Sequence, residues 1–138
     1  MFTVTQFAGY GHDLVTCPDL CVHEGVGIIP WSPLARGLLA RPRPATDAPA
    51  TTRADTDGYQ KQVYTGNVDW AIIDAVQRIA AARNVPASQV ALAWLLSRPA
   101  VTAPIVGATK LEHLHHAIAA VDVELTSEEI MSTRSVKG

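Results

Sequence analysis

Two short stretches of the chain carry residue types that could bind a phosphorylated ring compound. The first is Trp31-Ser32-Pro33-Leu34, which follows the apolar run at residues 26–31. An aromatic side chain can stack on a flat ring, and a serine hydroxyl with nearby backbone amides can bind phosphate oxygens. The alternative interpretation is that Trp31 closes the end of the apolar core and that Pro33 only ends a strand.

The second stretch is Gly107-Ala108-Thr109-Lys110, which leads from an apolar run into a helical pattern. Such a turn leaves the first backbone amides of the helix unpaired, and with the helix dipole they form an anion site. Lys110 adds positive charge there, as does His113 one turn further on. The alternative is that Gly107 permits the turn and Thr109 only caps the helix, since Thr109 and Glu112 match a capping box.

The elements that would position these stretches are predicted to alternate between strand and helix. Residues 26–31 are apolar on both faces, which is typical of a strand in a parallel sheet covered by helices, and residues 101–108 are predicted to form a second short apolar strand. Because the carboxyl ends of parallel strands meet at one edge, both stretches are expected on a common rim, where ligands of α/β folds bind. Residues 2–7 could form a further strand, whereas residues 8–20 show no clear period.

Two helices are predicted between Val68 and Pro99. Asn84 is expected to end the first in a left-handed conformation, and Pro86 to begin the second. Apolar residues three or four positions apart place one face of each helix in the core. These residues are Val68, Ile72, Ala75, Val76, Ile79 and Ala80 in the first helix, and Val90, Ala91, Trp94 and Leu95 in the second, widened by Leu92 and Leu96.

Two further helices are predicted after Thr109. Thr126 and Glu129 match a second capping box, which predicts a last short helix. The order of strand, long loop, two helices, strand and helix is that of βαβα units, so the predicted fold class is α/β. The buried face of the helix after Thr109 is expected to consist of Leu111, Leu114, Ile118 and Val121.

The composition indicates one globular domain over residues 1–138. Apolar residues make up 48% and charged residues 17%, which argues against disorder. The net charge of −2 provides no basic field for nucleic acid or anionic lipid, and no run approaches the roughly 20 apolar residues of a membrane span. The start of the chain lacks the features of a secretion signal, so a cytoplasmic location is expected.

Two other segments are given no catalytic or metal-binding role. Cys17 and Cys21 are interpreted as two unconnected thiols, because no second pair of metal ligands has matching spacing. Residues 40–66 are rich in proline, threonine and aspartate, which predicts a surface loop.

The order of these motifs resembles the C-terminal part of an aldo/keto reductase. The resemblance covers residues 21–130 and rests on "GVGIIPWSPLARGLL" and on "VPASQVALAWLLSRPAVTAPIVGATKLEHLHHAIAAVDVELTSEEI". It implies an α/β fold, the C-terminal portion of a (β/α)8 TIM barrel. It also implies NADPH as cofactor, bound in an extended pose across the carboxyl ends of the strands.

The resemblance assigns cofactor contacts to both stretches. Trp31 corresponds to an aromatic residue that stacks on the nicotinamide, and Gln6 to a glutamine that bonds its carboxamide. Because this chain has His113, His116 and Ala117 where many members have other polar residues, selectivity for the 2′-phosphate is expected to rest on Lys110. The preference between NADPH and NADH stays open. The remaining implied contacts are Ser32, Leu34, Arg36 and Gly37 at the pyrophosphate, Gly107, Thr109, Lys110 and His113 at the adenosine phosphate, and His116 and Ala117 near the adenine.

The resemblance also implies which residues are missing. The family reduces carbonyls with an Asp, a Tyr, a Lys and a His from the first half of the barrel. A full barrel has about 250 residues, so the chain is expected to be a fragment that contributes NADPH binding for hydride transfer to an aldehyde or ketone. Six other residues have the right types but lie in no motif that matches the family, so they receive no catalytic role. They are Tyr10, His12, Asp13, Tyr59, Lys61 and Tyr64.

Two alternatives to this reading remain. The chain could be a non-catalytic dinucleotide-binding or interaction module that assembles with itself or with a complementary half-barrel, because a half-barrel leaves strand edges unpaired. It could also be an unfolded relic without function.

Overall fold

A computed structural model describes residues 16–42 and 70–133 of the chain. Short 3-10 turns lie at Ala35–Gly37 and Ala120–Asp122. Two extended segments, at residues 26–31 and 101–105, are paired with each other. The helices in these ranges are α1 (Thr16–His23), α2 (Trp70–Arg83), α3 (Ala87–Leu96), α4 (Leu111–Ala119) and α5 (Ser127–Ser132).

Several predictions of the sequence lie outside the described residues. They concern the strand at residues 2–7, Val68 of the first helix, and the surface loop at 40–66 except for residues 40–42. The range 8–20, which received no element, contains the start of α1. Helix α1 has only eight residues, and Leu20 and Val22 on it are exposed. Its sequence therefore shows no apolar periodicity from which a helix could be predicted.

The two extended segments run parallel, as predicted. Ile28 pairs with Val101, and Trp31 pairs with Ile105. The Ile28 amide donates to the Ala100 carbonyl at 2.7 Å, and the Ile105 amide donates to the Pro30 carbonyl at 2.8 Å. The paired positions are three residues apart in the first segment and four apart in the second, so the second segment contains one extra residue, as in a β-bulge.

The prediction that residues 26–31 are buried on both faces is wrong. Ile28 is buried and packs with Ala100 and Cys21, but Val26, Ile29 and Ile105 are exposed. The apolar run is therefore covered on one side only. A run of apolar residues without polar alternation indicates that both faces of a strand can be buried. A second layer of structure must still be present to cover the other face.

The main core lies between α2 and α3, as predicted. Asn84 ends α2 with a φ of 53°, the left-handed conformation expected of it. Pro86 immediately precedes α3 as its N-terminal cap, with extended backbone angles. All six residues from Val90 to Leu95 are buried, so α3 is enclosed almost all round. The buried residues of α2 are Ile72, Ile73, Ala75, Val76, Ile79 and Ala80.

Helix α5 is attached to this core by specific polar contacts. The predicted capping box is present: the Glu129 amide donates to the Thr126 hydroxyl, and the Thr126 amide donates to the Glu129 carboxylate at 2.7 Å. Arg83 donates two hydrogen bonds of 2.7 Å to the same carboxylate, which lowers the pKa of Glu129 from 4.5 to about 2 and raises the pKa of Arg83. The Trp94 indole donates to the Ile130 carbonyl at 3.3 Å.

Helix α4 contradicts the prediction made for it. It packs against α3, but through His116, Ala117 and Ala119, which are half-buried, and it contains no buried residue. Its large apolar residues lie on the other side, and no segment in the two described ranges buries them. Those residues are Leu111, Leu114 and Ile118, together with Val121 in the following turn, and all four are exposed.

None of the helices in the part of the chain that the structure describes has the length and apolar character needed to cross a membrane.

Candidate functional site

The two candidate stretches leave the same edge of the strand pair. Trp31, which opens the first stretch, pairs directly with Ile105, and Gly107 follows two residues later. Because the segments run parallel, the chain emerges from both at their carboxyl ends. The register therefore brings together the stretches that the sequence predicted on a common rim.

The turn after Trp31 has an unusual backbone. Ser32, Ala35 and Arg36 have φ values of 53°, 49° and 55°, and Gly37 follows with 100°. Left-handed conformations cost residues other than glycine roughly 1–3 kcal/mol each, and they concentrate at functional sites. Three such residues within five positions indicate that the shape of this turn is imposed by its surroundings.

The surroundings that impose this shape are the main core. Ala35 and Leu39 are each 2% exposed and belong to the cluster formed by α2 and α3. The turn is also closed internally, since the amides of residues 35 and 37–40 donate to carbonyls of the turn at 2.9–3.3 Å. Those amides are engaged within the turn, and Trp31, Ser32 and Arg36 are half-buried.

The second stretch is exposed from Gly107 to Lys110, and its predicted capping box is wrong. Helix α4 begins at Leu111, so Lys110 is the N-terminal cap, with φ −131° and ψ 148°, and no side chain bonds to the helix end. Thr109 lies one residue too early to cap. The Glu112 carboxylate, which the capping box would pair with Thr109, has its Oε1 atom 3.9 Å from the Nε2 atom of His116, one turn along the helix.

The start of α4 retains the features of an anion site. Helix α4 has nine residues, and its first amides are not bonded by a capping side chain. Lys110 and His113 are three residues apart and both exposed, so their side chains can reach the same region. His116 and Ala117 are half-buried on the side that faces α3.

Several predicted or considered residues lie outside the described ranges. They are Gln6, and the residues Tyr10, His12, Asp13, Tyr59, Lys61 and Tyr64 that were given no catalytic role. Among the residues that the structure does describe, no group of three or more His, Cys, Asp or Glu side chains could hold a metal ion.

The family of the chain follows from comparison with known proteins. The model of the aldo/keto reductase family matches residues 15–137. The chain belongs to the aldo/keto reductase family. This confirms the resemblance noted in the sequence and extends it to residues 15–137, which include all the described residues.

Individual aldo/keto reductases resemble the chain closely over part of their length. Versiconal hemiacetal acetate reductase of Aspergillus parasiticus is 42% identical over 113 residues, which is 80% of this chain and 32% of that protein. An aldo-keto reductase of Fusarium vanettenii is 40% identical over 125 residues, or 86% of this chain and 33% of that protein. The chain thus spans about a third of the length of these curated relatives.

A solved structure agrees in fold. A thermostable aldo-keto reductase in complex with the inhibitor epalrestat superposes with a TM-score of 0.56 at 25% identity, covering 84% of this chain and 31% of that one. The fold family is therefore the TIM barrel of the aldo/keto reductases.

The sequence did not reveal the anchoring residues of the first turn. Ala35 and Leu39 determine where the turn lies, yet both read as ordinary apolar residues. Gly37 was the only signal of left-handed backbone, since Ser32 and Arg36 have no intrinsic preference for it.

Proposed function

We propose that this aldo/keto reductase chain contributes NADP(H) binding for hydride transfer to a small aldehyde or ketone. The observation that carries the proposal is the parallel pairing of Trp31 with Ile105, which brings two phosphate-compatible turns to one edge. NADPH, when bound, supplies the hydride, and the residues of this chain bind and orient the dinucleotide.

The first turn would hold the nicotinamide and the pyrophosphate. Trp31 is half-buried at the end of the first extended segment, and its indole is proposed to stack on the nicotinamide. The Ser32 hydroxyl and the Arg36 guanidinium are the groups proposed to contact pyrophosphate oxygens. Leu34 and Gly37 complete the turn, and Gln6 is proposed to bond the carboxamide.

The second turn would hold the adenosine end. The uncapped amides of α4, with Lys110 and His113 beside them, fit a phosphate group. Gly107 and Thr109 shape the approach to this helix end, and His116 with Ala117 would lie near the adenine. Lys110 is proposed to favour the 2′-phosphate and hence NADPH.

We propose that the chain does not turn over substrate alone. It spans about a third of its curated relatives, and none of its Tyr, Lys, His or Asp residues lies in a motif that matches the family's proton-transfer group. The proposal includes a partial barrel completed by other strand–helix units, and a cytoplasmic location in keeping with its two cysteines.

The test is a titration of the 138-residue chain with NADPH and with NADH, followed by tryptophan fluorescence. Lys110→Ala should weaken NADPH binding about 10-fold or more, the effect of losing one charge-assisted hydrogen bond, with little change for NADH. Lys61→Ala is the matched control and should bind both as the wild type does. Unchanged NADPH affinity in Lys110→Ala would contradict the phosphate assignment.

A second measurement addresses turnover. The wild-type chain, mixed with NADPH and a panel of aldehydes, should show no oxidation of NADPH at 340 nm above the rate without protein. Reduction at ordinary enzyme rates would show that the chain carries its own proton donor.

A further inference from the structure

Ala35 is an alanine in a backbone conformation that suits glycine. Its φ of 49° lies in the left-handed region, where the Cβ atom makes an alanine less stable than a glycine. The residue is nevertheless 2% exposed and belongs to the core cluster formed by α2 and α3. The methyl group therefore makes packing contacts that a glycine would lack, and these contacts offset the strain of the backbone.

The turn that contains Ala35 is attached to the same core before and after Arg36. Leu34 and Leu38 are partly buried and pack against that cluster, and Leu39 belongs to it. The Leu39 amide donates to the Leu34 carbonyl at 3.3 Å, which joins the two sides of the turn. Arg36 therefore lies in a short loop whose two ends are both held by the core.

The backbone of Ala35 connects the two residues that were assigned to the pyrophosphate. Its amide donates to the Ser32 carbonyl at 3.1 Å, and its carbonyl accepts from the Leu38 amide at 3.2 Å. Because Arg36 follows directly, the backbone angles of Ala35 set the direction in which the chain enters Arg36, whose own φ is 55°. A displacement of Ala35 would therefore move both Ser32 and Arg36.

We propose that Ala35 is a positioning residue for the dinucleotide, because its buried methyl group holds Ser32 and Arg36 in place before the cofactor binds. This inference rests on the proposed function, which assigns those two residues to the pyrophosphate. A turn that is ordered before binding loses less conformational entropy when the ligand binds. Since NADPH and NADH share the pyrophosphate, the effect of Ala35 is the same for both cofactors, unlike the effect proposed for Lys110.

The test is Ala35→Gly in the 138-residue chain, titrated with NADPH and with NADH and followed by tryptophan fluorescence. Glycine adopts the left-handed backbone without strain but lacks the methyl group that contacts the core. These two effects on folding oppose each other, so the urea midpoint should change little. The dissociation constants of both dinucleotides should rise about 10-fold, the effect of having to order roughly one residue on binding.

Ala40→Gly is the matched control, because it makes the same chemical change at the end of the turn. Ala40 is half-buried and is not one of the residues with a left-handed backbone. Its variant should bind both dinucleotides within about 2-fold of the wild type.

The titrations distinguish failure of this inference from failure of the proposed function. If the wild type binds and Ala35→Gly binds equally tightly, Ala35 does not position the cofactor contacts, and the proposed function is unaffected. A wild-type chain that binds neither dinucleotide would contradict the proposed function itself, and with it the role of Ala35.

Hydrogen exchange of the chain without cofactor separates positioning from a merely structural role. In Ala35→Gly, the amides of residues 37–39 should exchange about 10-fold faster than in the wild type, whereas those of α3 should be unchanged. Equal exchange at residues 37–39 would overturn the inference. Faster exchange throughout α2 and α3, with a lower urea midpoint, would also overturn it, because the methyl group would then only stabilise the core.

Discussion

Helices α2 and α4 have the same apolar periodicity and opposite surroundings. In α2, the residues three and four positions apart are buried against α3, whereas in α4 the corresponding residues are exposed. Periodicity defines which side of a helix is apolar, but a second element must exist to cover that side. The α2–α3 core is therefore complete within the chain, while the region formed by α4 and the two extended segments presents its surface outward.

The two capping motifs show the same contrast. Thr126 and Glu129 form a complete box on α5, and Arg83 of α2 bonds to the same carboxylate. Thr109 and Glu112 have the same spacing, but no helix or side chain from the core fixes them. The Thr126 box closes the start of α5, whereas no side chain caps the start of α4, which is the end proposed to contact a phosphate.

The strongest test of this contrast is a pair of leucine substitutions. Leu92 in α3 is 2% exposed and Leu20 in α1 is 59% exposed. Leu92→Ala should lower the free energy of unfolding by about 2–5 kcal/mol, because it removes buried methyl groups and leaves a cavity. Leu20→Ala should change it by less than about 0.5 kcal/mol. Urea denaturation measures both, and equal losses would contradict the difference in burial between these positions of α3 and α1.

A pair of glycine substitutions addresses the extended segments. A Cβ atom on Gly27 would collide with the Thr102 hydroxyl and lie 3.2 Å from the Thr102 Cβ, whereas one on Gly107 would meet nothing within 4 Å. Gly27→Ala should therefore destabilise the chain by about 1–3 kcal/mol, and Gly107→Ala by less than about 0.5 kcal/mol. Adding Thr102→Ala should recover part of the loss, and no recovery would place the cost elsewhere.

The Arg83–Glu129 pair predicts how stability depends on pH. Since the pKa of Glu129 is about 2 in the folded chain and 4.5 ordinarily, the ionised carboxylate stabilises the fold above pH 4.5. That contribution should disappear as the pH falls from 4.5 to 2. Glu129→Gln should lower the melting temperature at pH 7 by roughly 5 °C and reduce its pH dependence in this range. Glu128→Gln serves as the control and should melt as the wild type does.

The smallest expected effects distinguish the two threonines. Thr126→Ala should cost about 1 kcal/mol of unfolding free energy, because it removes the acceptor for the Glu129 amide. Thr109→Ala should be neutral within about 0.5 kcal/mol, since its side chain does not cap α4. A larger loss in Thr109→Ala than in Thr126→Ala would mean that the first box forms in solution.

The sequence predicted the helical core well for a physical reason. The ends of α2 and α3 are encoded locally by Asn84 and Pro86, and their apolar faces are covered by each other. The parallel direction of the two extended segments also followed from the order of elements. The structure of these elements depends on adjacent residues in the sequence and on the nearest packing partner, so the sequence pattern is enough to predict it.

The candidate site was less predictable, because its conformation depends on distant contacts. Ala35 has no preference for left-handed backbone, and its conformation follows from burial against α2 and α3. Whether Thr109 or Lys110 caps α4 depends on a difference of one residue that the TxxE motif does not settle. The exposure of Leu111 and Ile118 could not be predicted, because periodicity defines an apolar side of a helix and not what covers it.

The extra residue in the second extended segment constrains how this part of the gene can vary. Successive side chains of a strand point to opposite faces of the sheet. The extra residue between Val101 and Ile105 therefore determines to which face the side chains that follow it point. Pro104 lies within that stretch and has no amide hydrogen to continue a regular ladder. Exchanging one amino acid for another there should leave the downstream geometry intact, whereas an insertion or deletion of a single residue would reverse which face the following side chains occupy.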